Sequence, residues 1–163
     1  MRKLAAFALM TALVTLLATC GEKECDQTMS NPAGFGFYTI NNEAQVDTAI
    51  TDLVVYPEAR QDSFLYDSVT TSTVFLPLNP TNDFTRFIFV IDSVQTTLEV
   101  TYSREQEFIS HPCGFTTTYR INGVSFTNAR FDSVQVINHI VSLNTNEEHF
   151  NIFLSPADTA SVN

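Results

Sequence analysis

From Phe35 onward, apolar and polar positions alternate with a period of two. Leu98, Val100 and Tyr102 alternate with Thr97, Glu99, Thr101 and Ser103. Phe115, Thr117, Tyr119 and Ile121 alternate with Thr116, Thr118 and Arg120, and Phe150, Ile152 and Leu154 with Asn151 and Phe153. One apolar and one mostly polar face is what a half-buried strand requires. Phe87–Ile91 and Leu53–Tyr56 are continuously apolar and predict strands buried on both faces. Val134–Val141 predicts a longer strand interrupted by Asn138 and His139, and Gly34–Ile40, Ser63–Thr70 and Glu107–Ser110 complete the set. Turn chemistry lies at Asn31-Pro32, Asn41-Asn42, Asn79-Pro80-Thr81-Asn82 and Asn122-Gly123, the last predicting a tight hairpin between Ile121 and Val124. No segment after residue 19 keeps a helical period, and Thr and Val abound. Eight or nine short strands with regular turns predict an all-β fold, an antiparallel two-sheet sandwich. An immunoglobulin-like topology is the first expectation and a jelly roll or other sandwich the second. The domain is expected over 33–155, with a flexible tail over 156–163.

The first nineteen residues follow a different pattern. Arg2 and Lys3 precede an apolar run from Leu4 to Ala18, too short to span a bilayer. Leu17-Ala18-Thr19-Cys20 then places small residues before a cysteine. This predicts a secretory leader over 1–19 that ends at a lipoprotein-type cleavage site, with lipid on Cys20. Thr19 departs from the Gly, Ala or Ser commoner at that position. Residues 20–32 read as a lipidated tether, polar and charged through Gly21-Glu22-Lys23-Glu24.

Removing the leader leaves 144 of 163 residues, the size of one domain. It also removes Arg2 and Lys3, which takes the formal net charge from −10 to about −12. Such a chain is repelled by nucleic acid and by anionic lipid, so attachment to a membrane falls to the acyl chains, at about 0.8 kcal/mol per buried CH₂. The 14 Phe fall largely in the alternating runs and point to a core. The absence of Trp weighs against the commonest sugar-stacking platforms.

With Cys20 assigned to lipid, Cys25 and Cys113 remain as an even pair in an oxidising compartment. A bridge between them would close a loop of 88 residues, worth roughly 4–5 kcal/mol in the chain-entropy model. Two free buried thiols are the alternative. Zinc is disfavoured, because Cys25 lacks a CxxC partner and His111-Pro112-Cys113 supplies at most two ligands.

No spacing points to catalysis. His139 reads as a strand residue, His149 as part of a solvated acidic turn after Glu147-Glu148, and His111 as a neighbour of the bridge. There is no phosphate-binding glycine loop, HExxH or calcium-loop pattern, and neither metal nor cofactor is expected.

One local pattern recurs. Six of nine aspartates precede Ser or Thr, and five of these triplets continue with Ala or Val: Asp47-Thr48-Ala49, Asp67-Ser68-Val69, Asp92-Ser93-Val94, Asp132-Ser133-Val134 and Asp158-Thr159-Ala160. The triplet resembles the acceptor motif of general O-glycosylation in Bacteroidota envelopes. That makes Thr48, Ser68, Ser93, Ser133 and Thr159 candidate hydroxyls, with Thr159 the most accessible and Ser93 and Ser133 at risk of burial. Asp and Ser bonding to nearby backbone at turns explains the same pattern without modification.

Cys25, Phe35-Gly36-Phe37-Tyr38, Leu76-Pro77-Leu78-Asn79, Leu98-Glu99-Val100-Thr101-Tyr102, Cys113-Gly114-Phe115 and the closing Asn138–Asn151 region share an order and spacing. In these the mature chain resembles a family of small Bacteroidota envelope lipoproteins of unknown function. The resemblance implies an envelope lipoprotein with a β fold and transfers no activity. The expected function is accordingly a lipid-anchored, non-catalytic interaction or structural module of the outer membrane, periplasmic or surface-exposed. Its partners are the membrane, through the lipid, and an envelope protein or glycan. A ligand- or glycan-binding surface lipoprotein is the alternative, and a hydrolase would need a pocket joining a histidine to a carboxylate.

Overall fold

The computed structural model describes Cys25 and residues 31–127, 129–143 and 147–155. The leader over 1–19, Cys20, most of the tether over 20–32, and the tail with Thr159 lie outside the described residues. Eleven strands are described: β1 (Pro32–Asn41), β2 (Ala44–Asp47), β3 (Ile50–Pro57), β4 (Tyr66–Thr71), β5 (Thr73–Pro77), β6 (Phe84–Ile91), β7 (Val94–Ser110), β8 (Gly114–Phe126), β9 (Phe131–Val136), β10 (Ile140–Val141) and β11 (Glu148–Leu154). They form two sheets, as the all-β sandwich expectation required. One has the order β2-β1-β11-β9, with β5 sharing the β2 side of β1, and the other the order β10-β8-β7-β6-β3-β4.

Two details of the expected topology need correction. The sandwich is not wholly antiparallel, because β1 pairs parallel with β11, Phe35 opposite Phe150 and Phe37 opposite Ile152. These strands come from opposite ends of the chain, so no short connection imposes an antiparallel pairing. The strand order also departs from the immunoglobulin pattern of a four-stranded and a three-stranded sheet. Here β6, β7 and β8 run as a continuous meander within a six-stranded sheet.

Phenylalanines fill the space between the layers. The Phe35 ring stacks on Phe150 at 4.5 Å and meets Phe87 and Phe89 of the opposite sheet edge-on at 6.1 and 6.4 Å. Phe89 in turn meets Phe131 at 5.3 Å. All five rings are fully buried. Gly34 and Gly36 flank Phe35 in sequence, on the opposite face of β1. A Cβ at Gly36 would come within 2.6 Å of the Glu148 carboxylate, and one at Gly34 would fall on the Glu147 carbonyl oxygen. The Phe-Gly-Phe sequence therefore serves two needs at once: bulk toward the core and none toward β11.

Tight turns fall where the backbone can become left-handed. Asn42-Glu43 and Asp92-Ser93 both have positive φ at each residue, 49° and 68°, and 51° and 65°. They close the two-residue hairpins β1–β2 and β6–β7 as type I′ turns. Asn122-Gly123, expected to be such a hairpin, is not one. Thr101 pairs with Gly123 and Tyr102 with Ile121, which leaves Asn122 as the extra residue of a bulge inside β8. Both flanks of the Asn-Gly pair lie against the same neighbour, β7, so the chain bends there and reverses instead at Ser110–Gly114. The expected long strand over Val134–Val141 is split as well. β9 belongs to one sheet and β10 to the other, and the polar Asn138-His139 interruption marks the crossing.

Candidate binding cleft

Among the described residues the longest pairing is the β7–β8 ribbon, running from Leu98 opposite Phe126 to Ser110 opposite Gly114. The side of β7 that faces the core carries Leu98, Val100 and Tyr102, then Arg104, Gln106 and Phe108. The first three are buried and the last three exposed. The ribbon therefore overhangs the core. Phe115, expected on the apolar inner face of its strand, is on that face but beyond the opposing sheet, and is 62% exposed. It pairs across the ribbon with Phe108, which is 51% exposed, with ring centroids 5.3 Å apart.

The chain's N-terminal part is fastened to the same overhang at two points. Cys25 and Cys113 form a disulfide, with Cα atoms 4.8 Å apart. Asn31 Nδ2 donates to the Thr117 carbonyl at 2.6 Å and to Thr116 Oγ1 at 3.2 Å. The Asn31 side chain is buried and its Oδ1 has no hydrogen-bond partner.

The segment Leu78–Asp83 forms a strap facing the overhang. The Tyr102 hydroxyl accepts from the Asn79 N–H at 2.9 Å and donates to the Asn79 carbonyl at 3.0 Å, while Thr85 Oγ1 lies 2.6 Å away. The Tyr119 hydroxyl donates to the Leu78 carbonyl at 3.3 Å. Burial raises the pKa of both phenols, so each stays a protonated donor. Arg104 holds the far end: Nη1 donates to the Pro80 carbonyl at 2.6 Å and Nε pairs with Asp83 Oδ1 at 2.9 Å. Within the strap, Asn79 Oδ1 accepts from the Thr81 and Asn82 backbone N–H groups. This is the turn expected at Asn79-Pro80-Thr81-Asn82.

Between strap and ribbon lie two adjoining hollows. One, of about 570 Å³, is lined by Pro80, Asp83, Tyr102, Ser103, Arg104, Gln106, Thr117 and Asn122. The other, of about 340 Å³, is lined by Asn31, Pro77, Leu78, Pro80, Phe115, Thr116, Thr117 and Tyr119. They share Pro80 and Thr117 and form one cleft with a polar end at Arg104 and an aromatic end at Phe115. Its walls offer amides, hydroxyls and one guanidinium–carboxylate pair. That is the equipment of a binding surface.

The residues singled out by sequence are scattered. His111 is exposed in the ribbon turn, edge-on to Phe108 at 5.6 Å. His139 sits between β9 and β10, its Nδ1 3.1 Å from the Ile121 carbonyl. His149 was expected at a solvated turn and is instead 1% exposed inside β11. Its Nδ1 accepts from the Gly34 N–H at 3.0 Å, which leaves Nε2 to donate to the Ile140 carbonyl at 3.1 Å. Burial lowers its pKa, and the neutral ring cross-links β11 to β1 and to the strand crossing. Nearby, the Tyr38 hydroxyl donates to Glu148 Oε2 at 2.7 Å, a bond that pushes the Tyr38 pKa up to about 12. Among the described residues no three His, Cys, Asp or Glu side chains are grouped as metal ligands.

Of the candidate hydroxyls, Ser68 and Ser93 are exposed and both have positive φ, 52° and 65°. Ser93 flanks β7 as expected, but in the exposed turn between β6 and β7, where it escapes the burial expected of it. Thr48 Oγ1 donates to the Val46 carbonyl at 3.0 Å, and Ser133 is half-buried in β9. Sequence reasoning did not single out Asn31, Tyr102 or Arg104 as cleft residues. The available signal was the Asn79–Asn82 turn itself, since a turn with so many local polar groups needs a surface to rest on.

A family profile, DUF6452, described as a family of unknown function, matches residues 52–154. That span takes in β4–β11 whole and all but the first two residues of β3, and so covers both the strap and the ribbon. No significant match is found among curated proteins or solved structures.

Proposed function

The chain belongs to DUF6452, a family of unknown function, and we propose that it acts as a lipid-anchored, non-catalytic interaction module of the cell envelope. Its partner binds in the cleft between the Leu78–Asp83 strap and the β7–β8 ribbon. The observation that carries this reading is the pre-set cleft wall. Two tyrosines and Arg104 fix the strap before any partner arrives, which spares the ordering cost of binding. The unpaired Asn31 Oδ1 beneath the wall leaves one acceptor unused. The leader over 1–19 and Cys20 support placement at the outer membrane. The mature charge of about −12 supports a partner other than nucleic acid.

A photo-crosslinking residue at Gln106, inside the cleft, and another at Asp62, on an exposed loop, test this in envelopes of the native host. A single adduct formed from Gln106, absent from Asp62 and lost in Arg104→Glu, is the expected result. Equal adducts from both positions would remove the cleft from the account.

One observation favours a glycan as the partner. Phe115 stands exposed at the end of a cleft lined by hydroxyls and amides, and an aromatic face beside polar groups suits a sugar ring. Titration with purified envelope oligosaccharides separates the two readings, because saturable binding that Phe115→Ala abolishes belongs to the glycan.

A further inference from the structure

The tip of the ribbon is neutral in an acidic chain. From Phe108 to Phe115 there is no Asp, Glu, Lys or Arg, the nearest carboxylates on the ribbon being Glu107 opposite Thr116 and Glu105 opposite Thr118, whereas the whole chain carries a net charge of −10. Phe108 and Phe115 are exposed there as a cross-strand pair and take no part in the core. The rings form a wedge with His111 at its side. The same tip holds Cys113, and through the disulfide it holds Cys25. Cys20 precedes Cys25 by five residues, and five residues reach at most roughly 18 Å even when fully extended. Other exposed apolar side chains among the described residues lie away from the disulfide-bonded tip: Ile40 and Val46 are on the β1–β2 hairpin, at the opposite end of β1 from Asn31, and Phe64, Phe84, Val94, Ile137 and Ile140 are on other segments.

We infer that the Phe108–Phe115 wedge seats in the lipid leaflet that holds the acyl chains of Cys20, and so fixes how the sandwich stands on the membrane. This rests on the lipid-anchored reading above. The short cross-linked tether brings the tip to the bilayer surface. The tip's lack of charge lets it approach where an acidic surface would be repelled, and aromatic side chains partition well into the headgroup region. The acyl chains hold the protein at the leaflet but leave it free to swivel about the tether, and a second apolar contact removes that freedom. The strap and the Arg104 end of the cleft then sit just above the headgroups, presented to partners in or at the membrane, while Phe115 is taken up by lipid and is no platform for a sugar, so the wedge goes with the protein-partner reading and against the glycan one.

The chain contains no Trp, so one introduced Trp reports alone. Phe115→Trp, Phe108→Trp and, as a distant control, Phe64→Trp are purified with their lipid and placed in phosphatidylethanolamine–phosphatidylcholine vesicles whose acyl chains carry bromine. The expected result is a blue-shifted emission, strongly quenched, for both tip variants and not for Phe64→Trp. Flotation with vesicles and the mass of the N-terminal peptide are read on the same samples. Acylated protein that floats but whose tip Trp stays unquenched overturns the wedge and leaves the anchor standing. Absence of acyl mass on Cys20 overturns both. A tip Trp that is shielded in native envelopes yet unquenched in vesicles overturns the wedge in favour of a protein partner at the tip.

Discussion

The hydroxyl of Tyr102 is bonded to both backbone groups of Asn79, accepting from its N–H and donating to its carbonyl. One side chain in the middle of β7 thus fixes the start of the strap. The arrangement also explains why Leu76-Pro77-Leu78-Asn79 has the form it does. Leu76 and Leu78 fill the core, Pro77 ends β5, and Asn79 turns the chain through its side-chain oxygen.

Tyr102→Phe removes the hydroxyl and keeps the ring. The Asn79 N–H retains Thr85 Oγ1 at 2.8 Å, so the groups left without a partner are the Asn79 carbonyl and the Thr85 hydroxyl proton, which the phenol oxygen accepts. A loss of about 1–2 kcal/mol in urea denaturation is expected. Amide exchange at residues 79–83 should accelerate well beyond that of β6 and β7. Unchanged exchange in the strap would mean that Tyr102 does not hold it.

The Cys25–Cys113 bridge makes a larger contribution by a different route. Its 88-residue separation restricts the unfolded chain, worth about 4–5 kcal/mol in the chain-entropy model. The Cys25→Ser/Cys113→Ser variant should lose several kcal/mol in denaturant midpoint experiments, with little change in the far-ultraviolet spectrum of the native state. A reductant should reproduce the loss in the parent protein and have no effect on the variant.

Much of this fold can be read from residue pattern because period-two alternation has a direct physical cause: one face meets the core. Strands β7, β8 and β11 announce themselves in this way, whereas β3 and β6 do so by continuously apolar runs. The misreadings share a cause too. Asn122-Gly123 has ideal hairpin chemistry, yet neither residue takes a positive φ in this fold, and only the partner strand decides between a turn and a bulge. Phe115 is on the apolar face of its strand, but alternation cannot reveal where the opposing sheet ends. His149 follows two glutamates and looks solvated. Its burial depends on Gly34, which is 115 positions away in sequence. The cleft was the least legible part, because Asn31, Tyr102 and Arg104 come together only through tertiary pairing.

Ser93 occupies a type I′ turn with φ of 65°, a conformation that glycine adopts without strain. Ser93→Gly should stabilise the protein by roughly 0.5–1 kcal/mol, the relief of strain being partly offset by the freer unfolded chain. The exposed hydroxyl is also open to modification. Mass spectrometry of protein from its native host should therefore find any O-linked glycan on Ser93 or Ser68 before Ser133, which is half-buried in β9. Occupancy at Ser133 alone would contradict the accessibility argument.

His149 makes stability depend on mild acid. Its ring is buried between the Gly34 N–H and the Ile140 carbonyl, and protonating Nδ1 would set two donors against each other. Burial therefore lowers its folded-state pKa below the ordinary 6.5. The unfolded chain then binds the proton more readily than the native one, so the contribution of this group is complete above pH 6.5. It is lost progressively as the pH falls from there toward the lowered native value. The denaturation midpoint of the parent protein should drop more steeply between neutral and mildly acid pH than that of His149→Gln. The variant should be less stable at neutral pH, because the glutamine amide does not reproduce both ring contacts, and the two curves should converge in acid. Parallel pH profiles for parent and variant would show that the imidazole carries no proton linkage to folding.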